Sequence, residues 1–313
     1  MVIKANKYSI DELSKVNVES ISSISIEIVI EHEKAEVLKG LLRLNQRIRV
    51  VLIIDPAVDN IEGRHCNLRI VEALGDFKHL TVLAFGSQQL QNIDELCGLG
   101  NLTSFGLDGN YKKEIDLEPL KNTSGIEELA LEFGFANAQQ MGFASNLSRL
   151  RRLRISTFDL KKVQLNPGLQ ELAISNTIKH PELLASAFPD LKSLSINLGK
   201  GLSTFDFIAS LHALEYLQIA HTNKVKSLPK MDMPAVLKSL SLVATKEFED
   251  IDSILQFSQL EELKITEPTR IPVADFTQLG GLKNLRKVQV VFKTESEDDA
   301  FRQIAEANGW SDI

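Results

Sequence analysis

Between Gly168 and Thr269 the chain repeats itself: GLQELAISNT (168–177), DLKSLSINLG (190–199), ALEYLQIAHT (213–222), VLKSLSLVAT (236–245) and QLEELKITEPT (259–269). Each segment carries L-x-x-L-x-[IL], beginning at Leu169, Leu191, Leu214, Leu237 and Leu260, in steps of 22, 23, 23 and 23 residues. The second and third apolar positions, such as Leu172 and Ile174, lie two apart and so share one face of a strand. Glu171, Ala173 and Ser175 point the other way, to solvent. A strand this short cannot bury its apolar side alone, but a copy stacked beside it at each period can. Parallel pairing needs a return of a dozen or more residues, and the period leaves about that many. Leu172, Leu194, Leu217 and Leu240 are therefore expected in one interior column.

The segments resemble leucine-rich repeats, whose pattern is L-x-x-L-x-L-x-x-N-x-L. The resemblance implies an α/β fold, a right-handed solenoid (horseshoe). Its parallel sheet would line the concave face, with short helices or turns on the convex side. The chain departs from the family at the Asn column. Asn110 fits, while Thr177, Thr222 and Thr245 stand elsewhere, with Gly134, Gly199 and Pro268. A threonine hydroxyl can make some of the same turn bonds, more weakly.

Working outward, further repeats begin at Leu80 (LTVLAF), Leu102, Ile126 and Leu150, and the last strand is LRKVQV at Leu285. Upstream, Ile24, Ile26, Ile28 and Ile30 alternate as in a half-buried strand over 21–30. A helix follows, with Ala35, Val37, Leu38, Leu41 and Leu42 at helical spacing, then a buried strand from Arg47 to Asp55. This β-α-β unit reads as an amino-terminal cap over the sheet's edge. DPAVDNIEGRHC (55–66) reads as an inserted loop, and Leu68–Leu74 as a helix. ESEDDAFRQIAEANGW has an acidic start suited to a helix N-terminus and predicts a carboxyl-terminal helical cap. With no Pro-, Gly- or Ser-rich linker, the chain reads as one domain. Residues 1–79 form the cap and atypical first repeats, 80–291 about ten repeats, and 292–313 the second cap.

A net charge of −7 argues against nucleic acid, whose binders carry a basic footprint. No apolar run reaches the length of a membrane span, and the first residues lack the apolar core of a signal peptide, so the cytoplasm is expected. Cys66 and Cys97 form no CxxC and read as buried, reduced thiols. None of the six histidines has HExxH spacing. His65-Cys66 is the one adjacent pair of soft ligands, short of the four that a structural metal needs. P-loop, GxGxxG and GxSxG motifs are absent. No cofactor, metal or catalytic residue is expected, and an enzyme using His65 and Cys66 is the remote alternative.

The concave face is what remains. Its middle position reads Ala84, Gly106, Ala130, Arg154, Ala173, Ser195, Gln218, Ser241, Lys264 and Gln289. The position two before it reads Val82, Ser104, Glu128, Arg152, Glu171, Ser193, Tyr216, Ser239, Glu262 and Lys287. Small residues along the middle leave a shallow trough. Glu128, Glu132, Arg152, Arg154 and Glu171 alternate in charge, and Tyr216 is a candidate interface anchor. With Gln218, Glu262 and Lys264 these form the expected protein-binding set. The expected function is a non-enzymatic scaffold for a protein partner, with no role for nucleic acid or membrane. The alternative is an immunity-type neutraliser of a basic bacterial toxin, and the 55–66 loop or the convex side is an alternative contact surface.

Overall fold

The structure, a computed structural model, describes residues 1–313 apart from 28, 56–67, 124, 201, 203, 223 and 234–235. Thirteen strands follow one another in the sheet in the order in which the chain makes them. The chain divides into two compact units, Met1–Leu153 and Arg154–Ile313.

The first unit contains β1 (Val2–Lys4), α1 (Ile10–Ser14), β2 (Ser23–Ile26), α2 (His32–Leu44), β3 (Arg49–Ile54), α3 (Ile70–Leu74), β4 (His79–Ala84), β5 (Ser104–Gly109), β6 (Glu128–Leu131) and α4 (Ala138–Ser145). β7 (Arg152–Asp159) begins at its end. β1 to β6 pair in parallel, each with the next. A capping box starts α1: Glu12 N–H donates to Ser9 Oγ (3.2 Å), and Ser9 N–H donates to Glu12 Oε2 (2.7 Å). That satisfies two donors which the first helical turn leaves without partners. α2 buries Ala35, Leu38, Leu41 and Leu42, the stripe that its spacing specifies.

Three expectations change here. The strand read over 21–30 stops at Ile26, which pairs with Leu52 of β3; Ile28 lies outside the described residues. Val82 and Ala84, read as face residues, are buried, and the face belongs to His79, Thr81 and Leu83. Two overlapping frames fit L-x-x-L-x-[apolar], one from Leu80 and one from Phe77, and the register of Leu80 with Phe105 and Val82 with Leu107 selects Phe77. Cys97, read as a core thiol, is exposed. It sits on a 3-10 turn, Asp94–Gly98, that turns Leu96 inward and its neighbour out. Cys66 and His65 lie outside the described residues.

On the return side, Gln140 of α4 is 1% exposed and fully bonded. Its amide donates to Lys113 O (2.8 Å) and Ile115 O (3.0 Å), and its Oε1 accepts from Ala136 N–H (2.7 Å). One side chain thus ties a helix to the loop of the preceding repeat. Gln140→Leu removes all three hydrogen bonds, the one to Ile115 O buried and the other two part-buried. We expect a loss of about 2–3 kcal/mol, measured by urea denaturation; an unchanged midpoint would show the bridge to be dispensable.

The second unit carries most of β7, then β8 (Glu171–Lys179), α5 (Leu184–Ala187), β9 (Ser193–Asn197), β10 (Tyr216–Ala220), β11 (Ser239–Val243), α6 (Asp252–Leu255), β12 (Glu262–Thr266), β13 (Lys287–Val290) and α7 (Glu295–Asn308). Leu172, Leu194, Leu217, Leu240, Leu263 and Val288 pair in sequence and are all buried. This is the interior column that the repeat demands. A second column, Ile174, Ile196, Ile219, Leu242, Ile265 and Val290, runs beside it. Pro181 stands at the start of the turn before α5, where its missing N–H costs nothing. α7 opens with a Thr294/Glu297 capping box and closes at Gly309 in the left-handed region. Its Phe301 meets Phe276 and Phe292, both at 5.4 Å between ring centres.

After each short strand the chain turns through a left-handed residue: Leu198, His221, Ala244 and Glu267, 23 residues apart. The N–H groups of the first three donate to Ala220 O, Val243 O and Thr266 O of the following strand. The same template position in the first unit is Gly109. In the Asn column, Asn110 Nδ2 donates to Gly86 O (2.9 Å) and Gln88 O (3.3 Å), as the ladder role requires. Thr222 Oγ1 accepts a long contact from Lys224 N–H (3.4 Å).

Candidate functional site

The face residues of the first unit form three rows across β3–β6. Arg49, His79, Ser104 and Glu128 stand in register, and the Arg152 N–H donates to Glu127 O (2.9 Å) to continue the row. Glu128 accepts from Ser104 Oγ (3.2 Å), is hydrogen-bonded by Arg152 Nη1, and lies 3.8 Å from Arg49 Nη2. Two arginines thus share one carboxylate. Burial holds the His79 imidazole below its ordinary value, against the pull of Glu128. The second row is Val51, Thr81, Gly106 and Ala130, a low floor. The third is Ile53, Leu83 and Asp108.

Glu132 follows β6 directly. Its Oε2 and Asp108 Oδ1 accept the same N–H, that of Gly109, at 2.7 and 2.8 Å. This brings two carboxylates together, and Asp108 pushes the Glu132 carboxyl above its ordinary value. Beneath them Tyr111 is buried. Its hydroxyl oxygen accepts from Phe133 N–H (3.0 Å), and burial raises the phenol to about 12.

In the second unit the rows are Glu171, Ser193, Tyr216, Ser239, Glu262 and Lys287, then Ala173, Ser195, Gln218, Ser241, Lys264 and Gln289. Tyr216 is 48% exposed, with serines on both sides. Ser195 Oγ donates to Gln218 Oε1 (3.4 Å), and Lys287 Nζ pairs with Glu262 (2.6 Å). Arg154 is exposed in β7. The expected set therefore lies on open sheet faces, with Glu128, Glu132 and Arg152 in the first unit and Arg154, Glu171, Tyr216, Gln218, Glu262 and Lys264 in the second.

Sequence reading missed Arg49 on β3, and it missed His79 and Leu83, which the frame starting at Phe77 would have supplied. It also missed a charge ladder one residue after each opening leucine: Lys192, Glu215, Lys238, Glu261 and Arg286. Successive backbone bonds hold these residues side by side. Glu215 lies 3.3 Å from Lys192 Nζ and 2.7 Å from Lys238 Nζ. The Lys238 hydrogen bond, then Lys192, holds the Glu215 carboxyl below its ordinary 4.5. A carboxyl lowered on folding stabilises above that ordinary value, and the contribution is lost as pH falls through the lowered one. We expect Glu215→Gln to lower Tm slightly at neutral pH, with the gap to the parent closing below pH 4.5. A gap that is constant with pH would place the effect elsewhere.

Among the described residues no group of three or more His, Cys, Asp or Glu side chains is placed to hold a metal. Nor is any described helix long and apolar enough to cross a membrane.

Parallel strands at a 22–23-residue period, an interior leucine ladder and short helices on the return side define a leucine-rich-repeat fold. An internalin (inlF) of Listeria monocytogenes is similar at 20% identity, over 96% of this chain and 91% of that one, with a TM-score of 0.44. A leucine-rich-repeat protein of Leptospira interrogans is similar at 13% identity, over 100% and 99%, with a TM-score of 0.40. Internalin C2 of Listeria monocytogenes is similar at 18% identity, over 77% and 81%, with a TM-score of 0.27. No protein-family model and no curated relative matches the sequence.

Proposed function

We propose that the chain is a non-enzymatic protein-interaction module that binds a protein partner on its open sheet face. The observation that carries this reading is Tyr216. The residue is 48% exposed in mid-sheet, with the small Ser193 and Ser239 opposite it. A rigid aromatic with a polar tip, on a surface already held by strand pairing, contributes contact area at little ordering cost. Anchors of this kind carry much of an interface's energy.

The test is partner capture by the whole chain, with a photo-crosslinking residue at position 216 and, as a control, at position 302 on α7. The expected result is a protein adduct from 216 and not from 302, with Tyr216→Ala weakening capture by about 2 kcal/mol. Capture that is indifferent to Tyr216→Ala removes this face from the interaction.

A further inference from the structure

The first unit's face carries an exposed apolar strip beside a pair of carboxylates. Phe85 follows β4, and its N–H still donates to Ile54 O (2.7 Å), so it continues the alternation that turns Leu83 outward. It is 53% exposed. Leu83 and Ile53 stand side by side in the sheet, both partly exposed. Next in that row is Asp108, which with Glu132 shares the Gly109 N–H. The floor between this row and the Arg49–Glu128 row is low: the nearest atoms to a Cβ added at Gly106 belong to Thr81 and Ala130, at ordinary contact distances of 3.5–3.7 Å.

Charge separates the two rows. Glu128 already has Arg152 and Arg49. Among the described residues neither Asp108 nor Glu132 has a lysine or arginine partner. The hydrogen bond with Asp108, then burial, and last the mutual repulsion of the two charges keep Glu132 easier to protonate than an ordinary glutamate. A cation between them would remove that repulsion, and the strip beside them would accept the aliphatic part of the same segment.

We propose that this face docks a segment of a partner protein that presents one lysine or arginine next to apolar residues. The cationic head sits between Asp108 and Glu132, and the apolar neighbours pack on Ile53, Leu83 and Phe85. The proposal rests on the interaction-module reading and adds a second anchoring region with a defined chemistry.

Panning displayed random dodecapeptides against the whole chain tests it. Selected peptides are then titrated against the parent, Asp108→Asn/Glu132→Gln, Leu83→Ser and Tyr216→Ala. The double variant keeps oxygen acceptors for Gly109, and thermal melting confirms that each variant folds. The expected result is enrichment of Lys or Arg beside an apolar residue. Binding should fall about tenfold in both the double variant and Leu83→Ser and weaken with added salt. Peptides lost with Tyr216→Ala but insensitive to the other changes would overturn this site and leave the general reading standing. Peptides without a basic residue, peptides insensitive to every variant, or no enrichment at all would overturn the proposal.

Discussion

Gly109→Ala should destabilise the first unit by roughly 3–5 kcal/mol, the range reserved for backbone and packing failures that nothing nearby can absorb. Gly109 has φ +90°, and a Cβ built on it would lie 2.1 Å from the backbone oxygen of Ala84. That oxygen accepts from Asn110 N–H (2.8 Å), and Asn110 in turn bonds Gly86 and Gln88. The clash therefore cannot be relieved by a rotamer change; it must part β4 from β5 at the start of the turn. Native-state hydrogen exchange should show protection lost first at Asn110 and across β5. A variant with parental protection there would show that the turn tolerates a side chain.

The same template position shows why this residue cannot be read as one turn among many. In the second unit it holds Leu198, His221, Ala244 and Glu267, with φ of 64°, 51°, 51° and 79°. Those angles lie nearer the left-handed helical well, where an L-residue is strained by about 1–2 kcal/mol but not excluded. No residue type marks the position in sequence, so the recurring left-handed turn was invisible there. The interior column was legible because leucine recurs in it without exception from Leu172 to Leu263. β4 was not, since Phe77 occupies the opening leucine position and Leu80 and Leu83 satisfy the pattern in the wrong frame. That single slip of three residues placed Val82 and Ala84 on the face and concealed His79 and Leu83, as any odd-numbered shift must where side chains alternate. Cys97 was misread for a related reason. Periodicity assigns inside and outside along a strand, but a 3-10 turn of a few residues offers too little pattern to do so. The charge ladder through Glu215 was missed because its members are adjacent in space and 23–25 residues apart in the chain.

Leu240→Ala should cost about 3–5 kcal/mol, against less than about 0.5 kcal/mol for Ser241→Ala one residue away. Leu240 is 0% exposed and stands between Leu217 and Leu263 in the ladder, so removing its isobutyl group leaves a void bounded on both sides by the same column. The neighbours cannot collapse into it without leaving register, because each is fixed by its own backbone pairing with the next strand. Ser241 faces outward, and its loss removes one hydroxyl from a surface in contact with water. The contrast tests the stacking argument at its base. In an array where each strip is completed by its neighbours, the penalty should spread to exchange rates in β10 and β12 as well as β11. Equal costs for the two substitutions, or a loss of protection confined to β11, would mean that the repeats are stabilised one by one and that the leucine column does not hold them together.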